Sequence, residues 1–148
     1  MSASVPLSDS DRWPWLESVA TKSALAAAEA PARIAVASCS ALKQSYREFL
    51  ISHMIKVVPF CAMLLVFLYP ESESDADLVA SRMEQRSATT NHFMASDMIS
   101  SQLAITQVPH NDEGLLSKPS YRCLPIRVKK NLTPEDVVVR IISLINMN

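Results

Sequence analysis

In the stretch CSALKQSYR, Cys39 to Arg47, a lysine and an arginine stand where a helix is expected to begin. Lys43 and Arg47 are four apart, so on a helix they share a face and can address one anionic ligand together. A helix start adds backbone N–H groups without intrahelical partners and the favourable end of the dipole, which suits an anion. Taken alone, the pair can equally be a solvated helix face. An apolar run, Ile34 to Ala37, precedes the stretch. It reads as a short buried strand over Ile34–Ser38, whose end places Ser38 to Lys43 where ligands bind in a parallel sheet.

The elements that must hold these residues follow from periodicity and punctuation. Asp11 to Ala30 reads as a helix that Asp11 can cap, with Pro14 tolerated in its first turn and Trp15, Leu16 and Val19 on one face. Ala41 to His53 is the helix after the first strand, and Ala62 to Tyr69 is a second buried strand closed by Pro70. Ser74 and Asp77 form a capping box for a helix through Arg86, Ser87 to Asn91 reads as a loop, and a further helix runs over about Ser96 to Gln107. His110 to Ser120 is a surface loop. Cys123 to Val128 alternates apolar and polar residues, with Pro125 restricting it to a sheet edge. Thr133 caps a last helix with Pro134 at its first position, and Val137, Val138, Ile141, Ile142 and Ile145 form its apolar stripe. Strands alternating with helices predict an α/β fold with a mainly parallel sheet.

Bulk properties exclude several classes. The chain has 148 residues, enough for one domain, and its 14 basic and 15 acidic side chains leave no nucleic-acid footprint. Cys39, Cys61 and Cys123 are odd in number and far apart, which argues for a reducing, cytoplasmic setting rather than a disulfide framework. The apolar run Val57 to Tyr69 contains Pro59 and is too short for a membrane span, which needs about 20 residues. His53, His92 and His110 have no metal-ligand spacing with each other or with a cysteine, so no metal site is expected. The only glycine is Gly114, so a glycine-rich phosphate loop and a G-x-S-x-G elbow are both absent from these residues.

Four blocks in order resemble the gluconokinase family, small P-loop kinases related in fold to shikimate and adenylate kinases. They are PLSDSDRWPWL (Pro6 to Leu16), CSALKQSYR, the arginines Arg82 and Arg86 followed by His92-Phe93-Met94, and Ser101-Gln102 followed by Pro109. The resemblance covers nearly the whole chain, and the first two blocks are its most specific part. It departs at Asn91, where the family has a lid glycine, at Ser4, where it has another glycine, and at Arg127, a position that is usually acidic. Family members also begin with a strand, a GxxxxGK[ST] loop, a helix and a second strand, none of which these residues contain. The expectation is therefore a single incomplete gluconokinase-like domain over 1–148 with a lid at about 86–95. It would start at an internal methionine of a longer protein, through alternative initiation, a splice form or an incomplete gene prediction.

The resemblance implies ATP-dependent phosphorylation of D-gluconate to 6-phosphogluconate, with ATP and Mg as the nucleotide partners and a homodimer as an ordinary assembly. It places Asp11, Arg12, Ser40, Lys43 and Arg47 near gluconate, with Asp11 holding Arg12 or accepting a sugar hydroxyl. It places Arg82, Arg86 and His92 on the nucleotide and lid side. Asp11 can also be only a helix cap, and Arg82 only a surface residue. Trp13 and Trp15 read as packing residues. Without a first strand, half a dozen buried aliphatics lose partners, a cost on the order of 10 kcal/mol, comparable with the whole stability of a domain. A poorly folded, catalytically silent chain is the expectation. The alternative is a non-catalytic isoform that acts by interaction with the full-length kinase.

Overall fold

The computed structural model describes residues 8–70, 77, 81, 102–110, 120–129 and 132–146. Their regular elements are α1 (Asp9–Glu29), α2 (Gln44–Val57), β1 (Met63–Pro70), β2 (Tyr121–Val128) and α3 (Pro134–Asn146). The result is a mixed α/β architecture in which β1 and β2 form a parallel, two-stranded sheet. The ladder pairs Met63 with Tyr121 and Pro70 with Val128, so both carboxyl ends lie at the same end of the sheet.

α2 is the middle layer, and its sequence carries two faces. Tyr46 and Leu50 pack with Leu16, Ala20 and Ala41 in a core shared with α1. Ile51 packs with Phe67, Tyr121 and Cys123 of the sheet, joined by Ile55, Met63 and Leu65. Small alanines on the buried side of α1, Ala20 and Ala24, let the helices approach closely. Leu16 and Ile51 are both essentially fully buried, and burial of such a side chain stabilises by about 1.5–3 kcal/mol.

Helix boundaries follow local capping chemistry. Ser8, not Asp11, is the N-cap of α1; Asp11 is the third helical residue and completes a capping box with Ser8. The helix thus begins earlier than the Asp11 start read from the sequence. α3 begins as anticipated, with Thr133 Oγ1 accepting from the Asp136 N–H at 3.2 Å and the Asp136 carboxylate accepting from the Thr133 N–H at 2.9 Å. Its apolar stripe is only partly covered: Val137 is buried and Ile141 half-buried, whereas Val138, Ile142 and Ile145 are exposed, as is Val139 outside the stripe.

The predicted buried strand Ile34–Ser38 is corrected. These residues are neither helical nor paired in a sheet, and Val36 is 97% exposed. A short apolar run becomes a strand only when a neighbour accepts its backbone hydrogen bonds, and no described segment does so. α2 also begins at Gln44 rather than Ala41, because Ala41 takes a left-handed backbone (φ 41°) that no helix continues through. Of the predicted helix over Ser96–Gln107 the described residues 102–105 are helical and 106–110 are irregular, while 96–101 lie outside the described residues. The lid and the loop Ser87–Asn91 lie outside the described residues.

No helix among the described residues is long and apolar enough to cross a membrane. Val57–Tyr69 is divided between the end of α2, a turn and β1.

Candidate functional site

The first turn of α1 and the entry to α2 meet in one polar cluster. Lys43 Nζ donates to both carboxylate oxygens of Asp9 at 2.8 Å. Tyr46 Oη donates to Asp9 Oδ1 and accepts from Arg12 Nη1 at 3.2 Å. Arg12 Nη1 also lies 3.7 Å from Asp9 Oδ1. Both cations flank the Tyr46 ring, with Arg12 Cζ 5.8 Å and Lys43 Nζ 5.4 Å from its centroid. The ring itself is buried and braced by Trp13, edge-on at 5.3 Å. Trp13 therefore packs, as anticipated, whereas Trp15 is exposed.

The electrostatics follow from these contacts. The Asp9 carboxyl is held below the usual carboxylate range, chiefly by the Lys43 hydrogen bond and next by that from Tyr46. Lys43 is raised in turn, first by its bond to Asp9. Two cations around one carboxylate leave the cluster with a local excess of positive charge.

Arg12 and Lys43 are thus brought together, but Arg47 is not part of the same group. Lys43 is the N-cap of α2, with extended backbone, so the four-residue spacing does not put it on a shared helical face with Arg47. Arg47 is only 1% exposed, and its Nη1 donates to the carbonyls of Ala41 at 2.9 Å and Leu42 at 3.1 Å. Its guanidinium also lies over the Phe67 ring, 5.3 Å from the centroid. It clamps the left-handed turn that delivers Lys43 to Asp9.

Asp11 accepts from the Ser8 N–H at 2.9 Å and from its hydroxyl at 2.5 Å, with the Arg12 charge acting on it from nearby. The Ser8 hydroxyl is the first cause of its lowered pKa. Ser40 is exposed in the segment leading to the turn. Arg82, Arg86 and His92 lie outside the described residues.

The α2 N-terminus is partly occupied by the chain itself. The Gln44 N–H donates to Gln107 Oε1 at 2.8 Å, and the Gln107 N–H donates to the Leu42 carbonyl at 2.8 Å. Cys39, expected at the end of a buried strand, instead lies half-buried in an irregular segment beside the α1–α2 core, where burial pushes its thiol pKa up.

Asp9 and Tyr46 are the two members that sequence reasoning did not select. Both were legible in part: Asp9 precedes Arg12 by three residues and Tyr46 follows Lys43 by three, each spacing that of helical neighbours. What was hidden was the contact between the two blocks, more than thirty residues apart in sequence.

A mouse protein described as "Probable gluconokinase" is 31% identical over 136 residues, covering 84% of this chain and 69% of the mouse protein. The chain belongs to the gluconokinase family. A Saccharomyces cerevisiae "Probable gluconokinase" is 37% identical over 114 residues, covering 76% of this chain and 53% of the yeast protein. The "Thermoresistant gluconokinase" of Escherichia coli is 32% identical over 113 residues, covering 76% of this chain and 56% of that protein. The chain thus spans about half the length of the first gluconokinases it matches. No family profile matches it, and no solved structure does.

Proposed function

We propose that the Asp9–Arg12–Lys43–Tyr46 cluster is the gluconate-recognition side of a gluconokinase, serving ATP-dependent phosphorylation of D-gluconate to 6-phosphogluconate. The observation that carries this reading is the clasp of Lys43 and Tyr46 on Asp9, which joins the two blocks most specific to the family. Gluconate is a polyhydroxylated carboxylate and needs a cation for its carboxylate and fixed polar groups for its hydroxyls. The described contacts of Arg12 run through Nη1, leaving the Nε and Nη2 side of the fork for a ligand carboxylate. Asp9 and the Tyr46 hydroxyl supply hydrogen-bonding groups for sugar hydroxyls, and exposed Ser40 lies near in sequence. Arg47 acts by holding the turn, and Asp11 by fixing the start of α1.

β1 and β2 serve in this reading as two strands of a P-loop-kinase-like sheet, and Arg82, Arg86 and His92 as nucleotide-side lid residues. ATP and Mg are the implied nucleotide partners. The residues present do not fit a triphosphate cradle, since the chain has one glycine and no GxxxxGK[ST] sequence. The 148 residues therefore bind the acceptor side of the reaction and transfer no phosphate by themselves.

The test is calorimetric titration of the chain with D-gluconate. Saturable binding is expected, weakened about tenfold by Arg12→Gln or Lys43→Met. Absence of binding, or binding indifferent to both substitutions, counts against the site. ATP-dependent formation of 6-phosphogluconate by the chain alone would overturn its catalytic silence.

A second reading, an interaction form that pairs with a full-length kinase, is favoured by the exposed, unpaired segment around Ile34 and Val36. Co-purification with the long kinase, abolished by Val36→Lys, is its signature.

A further inference from the structure

We propose that Gln107 is a positioning residue: it straps the turn that carries Lys43 and so holds Lys43 against Asp9 in the gluconate site. This role deepens the gluconate reading and rests on it. The sequence at the start of α2 is mismatched to its position. A helix start favours Ser, Thr, Asp or Asn, whose side-chain oxygens accept from the free N–H groups of the first turn. Here the N-cap is Lys43, which makes no capping hydrogen bond, and an ammonium has no acceptor to offer. An acceptor comes instead from 63 residues away: the Gln44 N–H donates to Gln107 Oε1 at 2.8 Å.

Gln107 holds the turn at two points. Its backbone N–H donates to the Leu42 carbonyl at 2.8 Å, so its two bonds fall on the residues either side of Lys43. From within α2, Arg47 reaches the Ala41 and Leu42 carbonyls, and the Leu42 carbonyl therefore accepts from both braces. Between them the Lys43 backbone is extended (φ −95°, ψ 148°), and its Nζ reaches both oxygens of Asp9 at 2.8 Å. Gln107 is itself delivered by an anchored segment. Thr106 donates from its N–H to the Leu103 carbonyl at 3.1 Å and from its hydroxyl to the Gln102 carbonyl at 2.8 Å. Pro109 is buried two residues further on. Gln107 lies at an exposed position and belongs to neither core cluster, so its hydrogen bonds to the turn, not apolar packing, are what the geometry uses. Residues 102–109 thus tie the fourth sequence block to CSALKQSYR.

The experiment compares the full chain with Gln107→Met, which removes the acceptor at similar length, and with Gln107→Glu, which keeps one. Each is read by amide hydrogen exchange, by the Asp9 titration midpoint from carboxyl carbon NMR, and by calorimetric titration with D-gluconate. In Gln107→Met, exchange at the Gln44 amide is expected to quicken about tenfold and D-gluconate to bind about tenfold more weakly, with an unchanged circular dichroism spectrum. The Asp9 midpoint should rise toward the ordinary carboxylate value, because the Lys43 hydrogen bond is the main cause of its lowering. Gln107→Glu should keep the Gln44 protection and the gluconate affinity. An unmoved Asp9 midpoint or unchanged Gln44 exchange in Gln107→Met, or a Gln107→Glu chain that behaves as Gln107→Met, would overturn the proposal. Absence of gluconate binding by the unsubstituted chain would instead refute the gluconate reading, while the Asp9 midpoint and Gln44 exchange still decide whether Gln107 holds Lys43.

Discussion

Lys43 touches both oxygens of Asp9, and the consequences of that contact depend on pH in a definite direction. Asp9, lowered, contributes above the usual carboxylate range and loses its contribution as pH falls through its depressed value. Lys43, raised, contributes below the usual lysine range and loses its contribution as pH rises through its elevated value. The clasp is therefore intact throughout the range between the ordinary carboxylate and the ordinary lysine values. Lys43→Met should therefore raise the Asp9 titration midpoint toward the ordinary carboxylate value, followed by carboxyl carbon NMR; an unmoved midpoint would show that Lys43 does not set it. Arg47 makes a contrasting case. Its substitution by alanine leaves the Ala41 and Leu42 carbonyls without that donor and opens space above Phe67. A loss of about 2–4 kcal/mol is expected in urea unfolding. A purely ligand-facing arginine would leave unfolding unchanged.

At the scale of elements, the secure features are those whose signals are local. The capping box of Thr133 and Asp136 was readable because its donors and acceptors lie within one turn of sequence. Thr133→Ala should cost α3 about 1 kcal/mol, seen as reduced helicity in circular dichroism and reduced stability. β1 was readable as an apolar run bounded by punctuation, and its bounds moved by one residue at each end, from Ala62–Tyr69 to Met63–Pro70. Ile34–Ser38 has a similar apolar character, yet it is an exposed extended segment rather than a strand. Val36→Thr should shift stability by no more than about 0.5 kcal/mol, as for other exposed positions. A cost of a buried strand valine would contradict the structure.

At the scale of the molecule, the described residues present apolar surface that a folded monomer usually covers. Ile34, Val36, Leu64 and Leu68 are exposed, and α3 turns Val138, Val139 and Ile142 outward. Exposed apolar patches and unpaired strand edges promote association. Sedimentation velocity should show self-association that grows with concentration and diminishes in a Val36→Lys, Leu68→Lys variant. A monomer at all concentrations would show that these residues do not associate. Only this scale explains why two segments with sound local signals, 34–38 and α3, leave most of their apolar residues exposed: burial requires a partner surface, which periodicity does not supply.

The amino-acid sequence by itself determined the family, the α/β class, the caps of α3 and the presence of Arg12 and Lys43 at a charged site. These depend on motif identity and on interactions within a few residues, where spacing translates directly into geometry. Tertiary structure decided that Asp9 meets Lys43, that Arg47 turns inward to hold the Ala41 turn, and that Ile34–Ser38 has no sheet partner among the described residues. Each of these is a contact between distant segments, or the lack of one. Successive side chains along a helix are about 100° apart, and a residue left outside the first turn, as Lys43 is, no longer follows that spacing. The start of α2 at Gln44 was set by a left-handed turn and a buried guanidinium, neither of which helical spacing alone contains.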